Sequence, residues 1–210
     1  MQPIREIVPG IFFFTQMHEQ INFEISSYYL YGERVLIDPM TPPEGIAWFD
    51  EQEKGPPTDI LLSCRHHYRH SAEYVARYRT KVHCVSVGMH EFEGRDLPAP
   101  IESFEFGNEL PGGAIAKEVD AISPDETAFH LPKHKALLCA DGVINFGPDA
   151  PLGFVPDQYM DDPPGTKRKL IESYRGLLDL DFEHLLLAHG APVIGDGKRR
   201  LEQFVEAGSG

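Results

Sequence analysis

A chain of 210 residues, 41% hydrophobic and 25% charged, has material for one large core and the balance of a globular protein that folds alone. Its 33 acidic residues against 19 lysines and arginines give a net charge of -14, a surface that repels phosphate backbones and argues against nucleic acid as a partner. No apolar run has the length of a membrane span, the first residues lack a leader's basic and apolar regions, and three cysteines (Cys64, Cys84, Cys139) are an odd number; a cytoplasmic chain with reduced thiols and no membrane partner is expected.

Residues 10–15, 25–30 and 34–38 read as strands of an antiparallel meander, the last two joined across Tyr31-Gly32-Glu33. Phe12, Phe13 and Phe14 run without alternation, so a covering loop or a partner chain is expected over them, and a homodimer is one assembly this allows. Ile46, Trp48 and Phe49 are spaced for a short helix within 43–52, ended by Gly55-Pro56-Pro57. Asp59-Ile-Leu-Leu-Ser63 is a continuous apolar run, the mark of a strand buried on both faces, and the polar cluster 64–70 follows its C-terminal end. A helix over 71–78, carrying Tyr74, Val75 and Tyr78, and a strand over 82–87 complete a strand, loop, helix, strand unit.

The second half repeats this style, with strands expected at 101–106, 115–119, 127–131 and 136–139. A loop rich in Pro, Gly and Asp runs from 147 to 165, where Phe154, Tyr159 and Met160, accompanied by Asp149, Asp161 and Asp162, are placed to fold over a pocket as a lid. An amphipathic helix over 167–178, a buried strand over 182–188 and a helix over 198–205 close the chain. Two strand-rich halves, each finished by helices, predict two sheets packed face to face with helices outside, in one domain spanning 1–210.

Four segments stand in order at expected strand ends: Leu36-Ile-Asp-Pro39, Leu62-Ser-Cys-Arg-His-His-Tyr-Arg-His-Ser-Ala72, Leu137-Leu-Cys-Ala-Asp-Gly142 and Leu186-Leu-Ala-His-Gly190. This order resembles the metallo-β-lactamase superfamily, with its early Leu-Ile-Asp turn, a Thr-His-x-His-x-Asp-His loop, a Gly-His segment, a later Gly-Asp and a final His-Gly. The resemblance covers nearly the whole chain. It implies an α/β fold, a four-layer αββα sandwich, with two divalent ions held by imidazoles and carboxylates at strand ends.

Carried over residue by residue, the resemblance places Asp141 at the bridging acid and His189 at the final histidine. In the central loop one register puts His67 and His70 at the second and third histidines, with Arg65 in place of the first and Arg69 in place of the acid. A register shifted by one starts from Cys64, keeps His66, and puts Tyr68 and Arg69 at the later positions. The Gly-His segment is missing, with Ile122 or a neighbour in its place. A guanidinium stays protonated and repels an ion, so a complete two-metal site is not expected.

Two alternatives remain. In one, a single zinc or other divalent ion is held by His70, Asp141 and His189, with His67 or Cys64 adding a contact. The protein then hydrolyses a small ester, thioester or lactone, Asp141 and Arg69 being its catalytic groups and Arg69 steadying an anionic substrate. In the other there is no metal: Arg65 and Arg69 pair with Asp141, and with His66 they form a pocket for a small anionic ligand. Asp38 would orient the site loop from behind, with Cys64 beside it. His18, His83, His90, His130, His134 and His184 lack such company in sequence and read as structural or exposed.

Overall fold

The computed structural model describes residues 1–20, 22–148 and 150–208. Seven strands, β1 (Gln2–Val8), β2 (Ile11–His18), β3 (Phe23–Leu30), β4 (Val35–Ile37), β5 (Asp59–Leu61), β6 (Lys81–Val85) and β7 (Ile101–Phe104), lie side by side in chain order. β1 to β4 pair antiparallel and β4 to β7 parallel. The parallel part requires crossovers, and helix α1 (Ser71–Tyr78) supplies the one between β5 and β6.

The second half adds β8 (Ile115–Glu118), β9 (Thr127–Leu131), β10 (Ala136–Cys139), the hairpin of β11 (Val143–Asn145) and β12 (Leu152–Phe154), helix α2 (Pro163–Leu177), β13 (His184–Leu187) and helix α3 (Gly197–Ala207). Its main sheet runs β13, β10, β9, β8.

Consecutive apolar residues explain why these runs become inner strands. Side chains alternate between faces along a strand, so Ile37 and Leu61 enter the core between the sheets while Leu36 and Ile60 pack outward with Tyr74 and Val75 of α1. Likewise Leu138 and Leu186 face the first sheet, and Leu137 and Leu185 meet Leu170 and Tyr174 of α2 and Leu201 and Phe204 of α3. Each fully buried side chain of this size stabilises the fold by roughly 1.5–3 kcal/mol. The result is the expected αββα sandwich.

Polar pins join the sheets beside the strand ends. The Tyr28 hydroxyl donates to the Leu187 carbonyl at 2.8 Å and accepts from the Leu187 N–H at 3.0 Å. The Ser26 N–H donates to Ala188 at 3.0 Å and the Thr127 N–H to Ser63 at 2.8 Å. These bonds bring Ser63 and Ala188 to the same end of the sandwich, and with them the 64–70 turn and His189.

Several elements differ from expectation. The short helix expected within 43–52 is present as a 3-10 helix, Ile46–Glu51, in which Trp48 meets Phe12 at a tilt (5.6 Å) and Phe49 edge-on (5.1 Å). Trp48 and Tyr31 thereby cover Phe12, while Phe13 and Phe14 are buried. The 147–165 stretch contains β12, and α2 starts at Pro163 because proline suits a helix's first turn. No helix among the described residues is long and apolar enough to cross a membrane.

Candidate metal centre

After β5 the chain passes through Ser63 into a 3-10 turn, Arg65–Tyr68, before α1 begins. The buried Asp38 carboxylate accepts the Ser63 N–H at 2.8 Å and the Ser63 hydroxyl. Its Oδ2 also lies 3.0 Å from Nδ1 of His67. The opposite ring nitrogen, Nε2, is 3.1 Å from Asp141 Oδ1, and His189 Nε2 is 3.0 Å from that same oxygen. Two imidazoles thus converge on one carboxylate, and ligand-capable atoms of Cys64, His67 and Asp141 all fall within 4.8 Å of one another.

Local backbone explains the aim of each group. Asp141 follows β10, and a Cβ on Gly142 would run into Leu170, Tyr174 and Glu126. Gly190, at φ +85, lets the chain after His189 pass against the Asn145 carbonyl. Phe23 holds the His189 ring edge-on at 5.0 Å, and His189 Nδ1 is buried without a hydrogen-bond partner.

The charges are coupled. Burial and Arg69 disfavour a second proton on His67, but Asp141 and Asp38 outweigh them and push it up to about 9. Burial opposes ionisation of Asp141, yet His67 and His189 hold it well below the usual carboxylate range. Asp38 is also lowered, burial being overcome by His67 and then Arg69. Burial, with Asp141, pushes the Cys64 thiol far up.

Nitrogen, oxygen and sulfur donors from His67, His189, Asp141 and Cys64 suit one ion of borderline character. Among the described residues Cys64, His67 and Asp141 are the one group of this kind, and with His189 against the same Asp141 oxygen they fit an ion there. His70, expected as a ligand, is not brought to the cluster: its Nδ1 accepts the Thr41 N–H at 3.0 Å and lies 2.9 Å from the Thr41 hydroxyl.

The cluster opens on a cavity of about 340 Å³ whose walls include Ile122, Ile144, Val155 and Tyr159. Of the residues expected to form a lid, Tyr159 lines this cavity. Phe154 instead stacks on Phe204 at 4.7 Å, Met160 is buried in the outer core, and Asp149 lies outside the described residues. Glu126 lines it too, a group sequence reasoning passed over. Its carboxylate accepts the Ile122 N–H at 3.1 Å and the Gly142 N–H at 2.9 Å. Burial raises its pKa to about 7, with Asp141 adding to the shift.

The arginines do not pair with Asp141. The Arg65 guanidinium forms an ion pair with the buried Asp125, which also accepts the Arg65 N–H at 2.6 Å. Arg69 donates to the Asp38 carbonyl at 3.3 Å. His66 is exposed, 3.9 Å from Glu91. Arg65 and His66 line both the first cavity and a second, polar one of about 350 Å³ that Arg69 and His70 face. Elsewhere His83 pairs with Asp59 at 2.9 Å and His134 with Glu33 at 3.3 Å.

No family model and no curated protein sequence matches the chain. Solved structures do. A metallo-beta-lactamase from Pontibacter korlensis superposes with a TM-score of 0.72 at 12% identity over 98% of this chain and 99% of that one. The metallo-beta-lactamase FIM-1 from Pseudomonas aeruginosa, in its mono-zinc form, gives 0.71 at 12% over 99% and 95%. TTHA1623 in a di-iron-bound form gives 0.63 at 22% over 86% and 94%. Identities this low speak to architecture alone, and that architecture is the metallo-β-lactamase fold.

Proposed function

We propose that the protein binds one divalent ion, zinc or iron, through His67, Asp141 and His189 with Cys64 beside them, and hydrolyses a small ester, thioester or lactone in the adjoining cavity. The observation that carries this reading is the approach of two Nε2 atoms to a single Asp141 oxygen, at 3.1 and 3.0 Å, beside a cavity with apolar walls. The mono-zinc form of FIM-1 and the di-iron form of TTHA1623 support the two ion types on this fold. A bound ion would supply Lewis-acid chemistry at an acyl carbonyl.

The chain's own groups have separable parts. Asp38 and Ser63 fix the orientation of the His67 ring. Ile122, Ile144 and Val155 exclude water and receive the acyl portion. Glu126, with a pKa of about 7, holds or releases a proton at the cavity wall near neutrality.

Metal analysis of protein purified without chelator, beside a His189→Ala variant, tests the reading. About one ion per chain, lost in the variant together with ester hydrolysis, is the expected result. Absence of an ion from both, even after zinc is supplied, overturns it. One observation favours a second reading, a metal-free binding module for a small anionic ligand: a protonated His67 between Asp38 and Asp141 balances much of the cluster's charge without any ion.

A further inference from the structure

The second cavity, lined by Arg69, Arg95, His18 and His70 with Glu19 and Glu91, contains a cation whose donors are largely unserved. Arg95 pairs with Glu91 at 3.2 Å. The half-buried Arg69 has no carboxylate partner among the described residues; its one hydrogen bond runs to the Asp38 carbonyl at 3.3 Å. A guanidinium carries five N–H donors, and leaving most of them without acceptors in a partly dry site is costly. Burial lowers the Arg69 pKa, and Asp38 and Asp141 offset this only in part, both carboxylates already engaging His67.

Two further features point the same way. Arg69 sits at φ 40, ψ -116, outside the regions an L-residue ordinarily takes, and such strain gathers at ligand sites. Tyr68, more than nine-tenths buried, is among the residues that line the same cavity, and its hydroxyl, itself buried, has no hydrogen-bond partner. His18 is held below its ordinary value by burial, then by Arg69 and His70, with Glu19 acting the other way.

We propose that this cavity is an anion subsite in which Arg69, flanked by Arg95, receives a carboxylate or phosphate group. Because Arg65 and His66 line both cavities, one ligand can place an apolar body against Ile122 and Ile144 and its anion at Arg69. The substrate class is then an acyl compound that also bears an anionic group. That assignment of class rests on the hydrolase reading, whereas the subsite itself does not.

The test titrates the protein with inorganic phosphate, monomethyl adipate and uncharged dimethyl adipate, followed by side-chain NMR, with metal content measured in parallel. Phosphate should shift Arg69, His70 and Arg95, and monomethyl adipate should shift these and Ile122. The uncharged diester should bind about tenfold more weakly than the half-ester, and Arg69→Gln should erase that preference without changing metal content. Binding of phosphate alone keeps the subsite, as one for a free anion, and overturns the spanning substrate. Shifts elsewhere, no binding, or an undiminished preference in Arg69→Gln overturns the subsite. If Arg69→Gln fails to fold, the wild-type shift map and Arg95→Gln, expected to weaken phosphate severalfold, decide. Failure of the hydrolase reading would register separately, as absent metal and absent ester turnover.

Discussion

Asp38 Oδ2 stands 3.0 Å from His67 Nδ1, and this contact determines which ring nitrogen of His67 faces Asp141. Asp38 adopts φ 50 at the end of β4, a conformation aspartate tolerates better than most residues, and from there it also accepts both Ser63 donors. Asp38→Ala leaves a buried imidazole and a buried N–H short of acceptors, so a loss of about 3–5 kcal/mol is expected in urea denaturation. Asp38→Asn keeps the shape but weakens the hold on His67, and metal affinity should fall roughly 10–100-fold. Unchanged affinity in Asp38→Asn would remove the orienting role.

Arg65 has a structural job that its position in the sequence does not suggest. Its partner Asp125 is fully buried, while the Arg65 side chain is 18% exposed. Arg65→Ala strands that carboxylate, and a destabilisation of about 3–5 kcal/mol is expected. Arg65→Ala with Asp125→Ala should recover much of it. A double variant no more stable than the single one would show that the pair is not what matters.

How much of this was legible follows from the kind of signal each part leaves. The inner strands were readable because consecutive apolar pairs such as Leu36-Ile37 and Leu185-Leu186 fill two faces at once. β1 was not, because Gln2–Val8 mixes charge with apolar residues and takes its register from β2. β11 and β12 were too short, at three residues each, to show a period. Asp38, Asp141 and His189 could be placed because each follows a readable strand. Which of His66, His67 and His70 lies against Asp141 could not be read, since an irregular 3-10 turn ending at positive φ on Arg69 sets it. Asp125, sixty residues from Arg65 in sequence, left no local trace.

Gly190 gives a sharper test of how backbone shape sets the site. At φ +85 an added Cβ would collide with the Asn145 carbonyl, whose own N–H reaches back to His189 at 3.4 Å. Gly190→Ala must therefore move the segment carrying His189. Left-handed strain costs about 1–3 kcal/mol before the collision is counted. Thermal unfolding should show at least that loss, together with weaker metal binding. Wild-type stability in this variant would mean the turn yields freely.

Glu126 predicts a pH dependence with a definite sign. Its folded pKa of about 7 lies above the ordinary value of 4.5, so the unfolded chain loses this proton first as pH rises. Its contribution is fully present below pH 4.5 and disappears as pH climbs to about 7, amounting to roughly 3 kcal/mol. His67, raised from 6.5 to about 9, gives up its share mainly above that window in metal-free protein. His18, His66 and His184, all held below their ordinary value by burial first, contribute with the opposite sign in this window, so urea denaturation of chelator-treated protein between pH 4.5 and 7 reads Glu126 as the difference between wild type and a Glu126 variant. Glu126→Gln should flatten the slope there. It should also cost about 1 kcal/mol at pH 5, because an amide N–H now faces a backbone donor that the carboxyl accepted. A Glu126→Gln profile parallel to wild type across this interval would mean that the carboxyl titrates normally, and that it holds no proton for chemistry near neutrality.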